Sequence, residues 1–311
     1  MNFKQSGVAL ITVILILALA TVTAVSMASR QNIDIHRSSN ILNYEQAYQY
    51  VVGIEDFAKR VLIWDLANDP AGTTDSLDDS WNEPVTAPIE GGGLKGEIRD
   101  LQACFNLNNL VLNGQIQAFQ RTRFRRLLDN IGLDRELSEP IIDWIDADEN
   151  VRGISGAEDN TYLNYPSAYR AANRNMSDVS ELLLIEGIDS KIYQILEPHV
   201  CVINMNTDLN VNTADAGVIS SIVAGVNLDD AKTLVDNRGV AGYASVNDFF
   251  AHNIFQGRNI TANDRLGLSV NTDNFHLTST VQVGSTQIQF ITHLQRSATG
   301  VSVNKRMRSL L

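Results

Sequence analysis

MNFKQSGVALITVILILALATVTAVSMASR, Met1–Arg30, is the stretch that decides the architecture. A polar leader with one cation, Lys4, ends in Gly7, and from Val8 to Ser29 no residue is charged. As a helix rising about 1.5 Å per residue, that run reaches about 33 Å, enough to cross a bilayer core. The helical pattern does not stop at the membrane edge. Ile41, Tyr44, Tyr48 and Val51 continue at spacings of three and four, followed by Ile54, Ala58, Val61 and Leu62. Between Gly7 and Pro70 the only glycine is Gly53, and there is no proline. The expectation is one helix of up to ~50 residues, facing lipid first and amphipathic afterwards, longer than ordinary globular helices.

Three readings compete for the start of this helix. One is a cleaved secretory signal peptide, with an apolar run of about 7–15 residues before a small-residue site; Ala24-Val25-Ser26 or Ser26-Met27-Ala28 supplies such a site. The second is a plain membrane anchor. The third resembles a type IV pilin signal, in which a peptidase cuts after the glycine and leaves the apolar segment as the new, methylated N-terminus. A cation on the leader side of Gly7 and a helix that outruns the bilayer favour the third. Val8 is then the first residue of the mature chain and Thr12 the fifth. Pilins and most pseudopilins carry Glu at that place, where a carboxylate in an apolar filament core needs a cationic partner, usually the terminal ammonium of a neighbouring subunit. Thr12 offers none, so by this logic the subunit sits only at a filament end. Without the comparison to pilins, Thr12 reads as a small residue tolerated in a membrane helix.

The chain has 311 residues, 44% of them hydrophobic, which suits an anchor helix with one or two globular domains. A net charge of −12 argues against nucleic acid, since phosphate binding needs Lys and Arg, and is compatible with divalent cations. The two cysteines, Cys104 and Cys201, lie in an exported part of the chain, where a pair often bridges. Such a bridge would close a loop of about 100 residues, worth about 4–5 kcal/mol in the loop-entropy picture. Two free buried cysteines are the alternative.

Residues 63–93 break the helical pattern with Pro70, Gly72, Pro84, Pro88 and Gly91-Gly92-Gly93, and read as a surface loop. Leu94 to Phe105 reads as a strand. Ile116–Ile131 is helical, with Phe119, Phe124, Leu127 and Leu128 on one face. Its Arg121, Arg123, Arg125 and Arg126 are the one basic cluster and read as a solvated face rather than a nucleic-acid or membrane contact. Further helices are expected at Asp134–Ile145, at Asp178–Glu186 with Ser177 as cap, and at Asp189–Leu196 before Pro198. Asn274–Ser302 alternates apolar and polar residues around Gly284-Ser285-Thr286, a hairpin signal, and the basic end Lys305–Arg308 reads as frayed.

The chemistry candidate is DWIDADENVRGISGAEDN, Asp143–Asn160. Its carboxylates flank Gly153 and Gly156, which allow a tight reversal. Calcium takes about six to eight oxygens from a bendable loop. Asp146 and Asp148 offer one end, Glu158 and Asp159 the other, with Asn150, Asn160 and Thr161 as further donors. The spacing is not that of an EF-hand, and an acidic solvated loop is an equal reading. A hydrolase using paired carboxylates lacks partner chemistry: there is no G-x-S-x-G, H-E-x-x-H or glycine-rich phosphate loop, and the five histidines are scattered. Leu209–Phe255 carries helices at Asp215–Ala224, Leu228–Arg238 and Ser245–His252 and resembles the helix-hairpin-helix domains of DNA-uptake proteins. That makes a membrane-anchored DNA-binding protein of competence type the rival function. Its hairpin, Ala224–Asp230, has one glycine fewer and two acids more than a phosphate-binding turn, and the acids repel phosphate.

Several stretches, taken together, carry a wider resemblance: the leader with Gly7, Thr12 at the fifth place, VCV at 200–202, DWIDADE at 143–149, GAEDNTYL at 156–163, YRAANR at 169–174, SDVSELLLIEGI at 177–188 and LNVNTA at 209–214. Over nearly its whole length the chain resembles the K family of minor pseudopilins of the type II secretion system. The resemblance implies an α+β, pilin-like fold: a transmembrane and amphipathic spine helix on a small antiparallel sheet, with a large inserted α-helical, SAM-like domain. It implies a prepilin leader at 1–7, a membrane part of the spine at 8–29, and the rest of the spine, loop and first strand at 30–105. The inserted helical domain falls at 106–265, in two units at roughly 106–200 and 206–256, and the C-terminal β part at 266–311. The implied role is structural, not enzymatic. The protein caps the periplasmic tip of the pseudopilus and takes part in protein export across the outer membrane. Its implied partners are minor pseudopilins I and J, the major pseudopilin filament, the prepilin peptidase and the inner membrane, with the secretin channel or cargo in reach and no nucleic acid. It also implies calcium, which we place on Asp146, Asp148, Glu158, Asp159 and Thr161.

Overall fold

A computed structural model of the chain describes residues 6–68, 74–239 and 241–309. Met1 to Gln5, with the leader's Lys4, and Pro70 and Gly72 of the expected loop lie outside the described residues. Helix α1 (Ser6–Asn68) is a single helix of 63 residues, about 95 Å long at ~1.5 Å per residue. It exceeds the expected length because Ile63, Trp64 and Leu66 prolong the pattern without a breaker. Among the described residues it is the one helix long and apolar enough to cross a membrane. Large apolar residues from Val8 to Leu42 stay exposed along its first two thirds. Farther on, Ala47, Val51, Ile54, Ala58 and Leu62 recur on one side and are buried, with Tyr44 and Tyr48 at the margin. The spacing of small and branched residues is what lets the helix lie close on a sheet.

That sheet is built from both ends of the globular part. Strands β1 (Val85–Ile89) and β2 (Gly92–Asp100) follow the spine. The chain then leaves the sheet for a helical block and returns 173 residues later. The block's first unit holds β3 (Phe105–Asn106), β4 (Val111–Leu112), β5 (Gln115–Ile116), α2 (Ala118–Asn130), α3 (Ser138–Ile145), α4 (Asp159–Tyr162), α5 (Ser190–Leu196) and β6 (Val200–Cys201). Its second unit holds β7 (Leu209–Asn210), α6 (Ala216–Ser220), α7 (Leu228–Asp236), α8 (Val246–Phe250), α9 (Ala262–Arg265) and β8 (Leu268–Ser269). The chain re-enters the sheet as β9 (Asn274–Val283), β10 (Thr286–Ser297) and β11 (Gly300–Ser309). All pairs are antiparallel in the order β1-β2-β9-β10-β11, and Asp100 faces Phe275 across β2 and β9. The helical block is therefore an insertion between two adjacent strands. Strict alternation in β9 and β10 sends Phe275, Leu277, Val281, Ile288, Phe290 and Leu294 onto the spine.

Three expectations fail here. Residues 85–89, read as loop, form an edge strand, where the missing N–H of Pro88 is tolerated. Gly92 marks a close strand approach rather than a loop: a Cβ there would sit 2.0 Å from the Gln282 carbonyl oxygen. The basic end is not frayed but forms β11, and Arg306 grips the spine. Its Nε and Nη2 lie 2.6 and 2.5 Å from the two oxygens of Glu55, a residue 1% exposed, to which Thr292 also donates at 2.7 Å.

Each helical unit has its own core. Phe124, Leu127, Leu128, Ile141, Ile142, Trp144 and Tyr162 anchor the first, and Val218, Ile219, Ile222, Leu234, Phe249 and Phe255 the second. The expected helix at 178–186 is a 3-10 segment, Val179–Leu184, capped by Asp178 and Glu181 in a reciprocal box rather than by Ser177. Cys104 and Cys201 are joined, with Cα atoms 5.7 Å apart, where parallel pairing of β3 with β6 brings the two ends of the first unit together. Nearby, the buried Asn106 amide donates to the carbonyls of Ile203 and Met205.

Candidate functional site

The acidic stretch Asp143–Asn160 folds into a loop that closes on its own carboxylates. Asp143 lies on the last turn of α3, and the helix stops at Ile145. The chain swings out through Asp148 and Asn150 and returns at Arg152, whose N–H donates to Asp143 Oδ2 at 3.1 Å. Gly156 N–H donates to the Arg152 carbonyl at 2.9 Å. A Cβ on Gly156 would fall 2.4 Å from both that carbonyl oxygen and Asp143 Oδ2, so only glycine fits the reversal. Glu158 then begins α4 without using its carboxylate as a cap.

Asp143, Asp146 and Glu158 are 0, 2 and 1% exposed. Burial is the main force on all three. It pushes Asp143 up to about 6 and raises Asp146. Burial, then the charges of Asp143, Asp146, Asp148 and Asp159, push Glu158 up to about 8. Asp148 is exposed, and hydrogen bonds from Asn150 lower it. Arg152 is the cation among them. Its Nε lies 2.8 Å from Asp146 Oδ2 and its Nη2 3.3 Å from Asp148 Oδ2. Four buried oxygens are still left with no hydrogen-bond partner: Asp143 Oδ1, Asp146 Oδ1 and both of Glu158. Buried carboxyl oxygens without donors are costly, and an oxygen-seeking divalent cation is one chemistry that satisfies such groups.

Of the predicted set, Asp146 and Asp148 meet at Arg152, which also reaches Asp143, the first carboxylate of the stretch. Glu158, without a hydrogen-bond partner, feels the charges of all three. The position of Asp143 three residues before Asp146 is the sequence signal for it. Asp159 is engaged elsewhere, accepting from Ala171 N–H at 3.0 Å and pairing with Arg170 at 3.1 Å. Thr161 is half-buried one turn into α4. Among the described residues, the three-carboxylate set whose oxygens close to within 4.8 Å is another one, Asp65, Asp75 and Asp79. There Arg296 supplies the charge, at 3.2 Å from Asp65 and 2.5 Å from Asp75.

The arginine cluster of α2 corrects a second expectation. These side chains are not a solvated face. Arg121 pairs with Glu139, and Arg125 with Glu136. Arg123, 2% exposed, donates to the carbonyls of Asp264 and Leu266, and Arg126 bridges Asp264 and the Ile222 carbonyl at 2.8 Å each. Arg123 and Arg126 thus clasp the two helical units, while Arg121 and Arg125 pair within the first. The hairpin at 224–230 is likewise closed: Asn227 and Asp230 form a capping box for α7, and Arg258 ties Asp230 to the Gly225 carbonyl. Asp229 remains on the outside, an acid where a phosphate would come. On the spine, Gly7, Val8 and Thr12 fall in the first turns of α1, with Val8 and Thr12 exposed, and the Thr12 hydroxyl donates to its own helix at the Ala9 carbonyl, 2.9 Å away. His276 and His293 pair across β9 and β10 with ring centroids 6.0 Å apart.

Comparison with known proteins gives a consistent picture. Family models described as type II secretion system protein K match residues 103–205 and 209–271. A type II secretion system protein K of Pseudomonas aeruginosa is 37% identical over 96% of this chain and 91% of its own length. One of Pectobacterium carotovorum is 32% identical over 98% of this chain and 97% of its own. Among solved structures, the crystal structure of the GspK-GspI-GspJ complex from enterotoxigenic Escherichia coli matches with a TM-score of 0.79 at 25% identity. It covers 88% of this chain and all of that one.

Proposed function

Because the chain belongs to the type II secretion system protein K family, we propose that it is the minor pseudopilin that caps the periplasmic tip of the pseudopilus, assembled with pseudopilins I and J. The observation that carries this reading is the likeness of its fold to a chain solved in a GspK-GspI-GspJ complex. The apolar part of α1 delivers the protein to the inner membrane, with the globular part in the periplasm. The prepilin peptidase cuts after Gly7, and Val8 becomes a methylated N-terminus. Thr12 offers no carboxylate to a terminal ammonium, and its hydroxyl is satisfied within its own helix, so no subunit is recruited above it. The helical block then crowns the tip, facing the secretin channel and cargo. Its role is structural.

In the acidic loop, Asp143, Asp146, Asp148 and Glu158 would hold calcium, with Thr161 on α4 as a further donor, and Asp159 would join only by leaving Ala171 and Arg170. The bound ion supplies positive charge to oxygens that otherwise repel one another. The four unpartnered buried oxygens support this reading.

The test is isolation of the full chain from membranes, with intact mass, N-terminal sequencing and identification of co-purifying pseudopilins. A methylated start at Val8 with I and J bound is expected. A start near Met27 removes the spine's membrane part and overturns the proposal.

A further inference from the structure

Resting on the calcium reading, the geometry of Arg152 carries a second step. Its backbone is fixed: its N–H is held by Asp143 Oδ2 at 3.1 Å, and its carbonyl is held by Gly156 N–H at 2.9 Å. Its side chain is not fixed in the same way. The guanidinium enters from the solvent side and is 30% exposed, while Asp143 and Asp146 beneath it are buried. It contacts Asp146 Oδ2 at 2.7 Å through Nη2, Asp148 Oδ2 at 3.3 Å and Asp143 Oδ1 at 3.5 Å. Even so, Asp143 Oδ1, Asp146 Oδ1 and both Glu158 oxygens have no hydrogen-bond donor. One guanidinium cannot satisfy four carboxylates, because its donors lie in one rigid plane. Nor does it reach Glu158, whose two oxygens stay without a donor.

We infer that Arg152 is a built-in competitor for the calcium site: in the metal-free chain its guanidinium holds Asp143, Asp146 and Asp148 together, and it swings out to solvent when the divalent ion binds. The two cations cannot share these oxygens, since like charges a few ångströms apart repel strongly where water is scarce. Two consequences follow from the same contact. The metal-free loop keeps its shape, because a charge is always present. Calcium binds more weakly than the carboxylates alone would allow, so occupancy tracks the calcium concentration instead of being permanent.

The experiment uses the full chain in detergent and calcium chloride as the probe. Calorimetric titration of wild type and Arg152→Gln is expected to show at least about tenfold tighter calcium binding in the variant, together with a lower melting temperature in the metal-free state. Equal or weaker binding by a folded R152Q overturns the inference. If wild type takes up no calcium at millimolar concentration, the calcium reading itself falls, and this one with it. A second measurement needs no variant: reaction of arginine side chains in the wild type with phenylglyoxal, read by mass spectrometry. Modification at Arg152 is expected to speed up on adding calcium. Calcium that binds without exposing Arg152 overturns the inference independently of how R152Q folds.

Discussion

Arg306 and Glu55 form the tightest link between spine and sheet, and their burial sets the energetic consequence. Glu55 is 1% exposed and accepts from Nε and Nη2 of Arg306 together with the Thr292 hydroxyl. Removing one partner leaves a buried charge uncompensated, which typically costs about 3–5 kcal/mol. Arg306→Ala, which strands the buried Glu55, is therefore expected to lose about that much in urea unfolding, whereas Glu55→Leu with Arg306→Met should recover most of it. The His276–His293 pair gives a pH dependence. Burial, then His293 and Lys305, push His276 down to about 4, with Asp178 opposing. Arg99 stands opposite it on β2 and Lys305 opposite His293 on β11. Between the ordinary histidine value and about 4, the unfolded chain binds a proton that the folded chain refuses. The stability this group contributes is complete above pH ~6.5 and falls as pH drops towards 4. His276→Gln should flatten that part of the melting-temperature profile, and an unchanged slope would refute the assignment.

At the scale of elements, the arginines of α2 act as a clasp rather than a wet face. Arg126→Ala breaks its pair with Asp264, 5% exposed, and frees the carbonyl of Ile222. Hydrogen exchange is expected to rise at 262–268 and 220–226 while the core of the first unit stays protected. Unchanged exchange there would mean that the two units are joined by other contacts. The same helix shows where sequence patterns stop informing. The apolar positions of α1, α2 and β10 were legible, because each repeats at its own period over many residues. The roles of Arg123 and Arg126 were not, because a cation bound to a carbonyl 141 residues away, or to a carboxylate 138 residues away, looks in sequence like a cation in water. The same reason hid Arg306. Strand β1 was hidden by Pro88, which its edge position tolerates, and by the run Gly91-Gly92-Gly93 that follows it. In the acidic loop the two clusters of carboxylates could be read, but the burial that separates Asp143, Asp146 and Glu158 from Asp148 came only with the packing of α3 and α4.

At the scale of the whole molecule, the spine and sheet form one body and the helical block another, joined through Asp100, Asn274 and the contacts between them. The Asp100 carboxylate accepts from Asn210 and Thr213 of the second unit at 2.9 and 2.5 Å, so the insertion is pinned where it leaves the sheet. Replacing Cys104 and Cys201 together by serine is expected to lower stability by about 2–5 kcal/mol, read as a fall in the urea midpoint of the full chain, with the sheet and spine still formed. A midpoint unmoved by reduction would show that the asparagines at 106 and 108 hold the first unit closed by themselves.

The position of that disulfide has a mechanical meaning as well. It bonds the chain across a separation of 97 residues, immediately after the first unit is entered and immediately before it is left. Tension drawn through the backbone from the spine towards β9 crosses the sulfur atoms and bypasses everything between them. The first helical unit, acidic loop included, is thereby shielded from load. Pulled from its ends in oxidising buffer, the molecule should release a contour shorter by about 340 Å, at ~3.5 Å per residue, than it does after reduction.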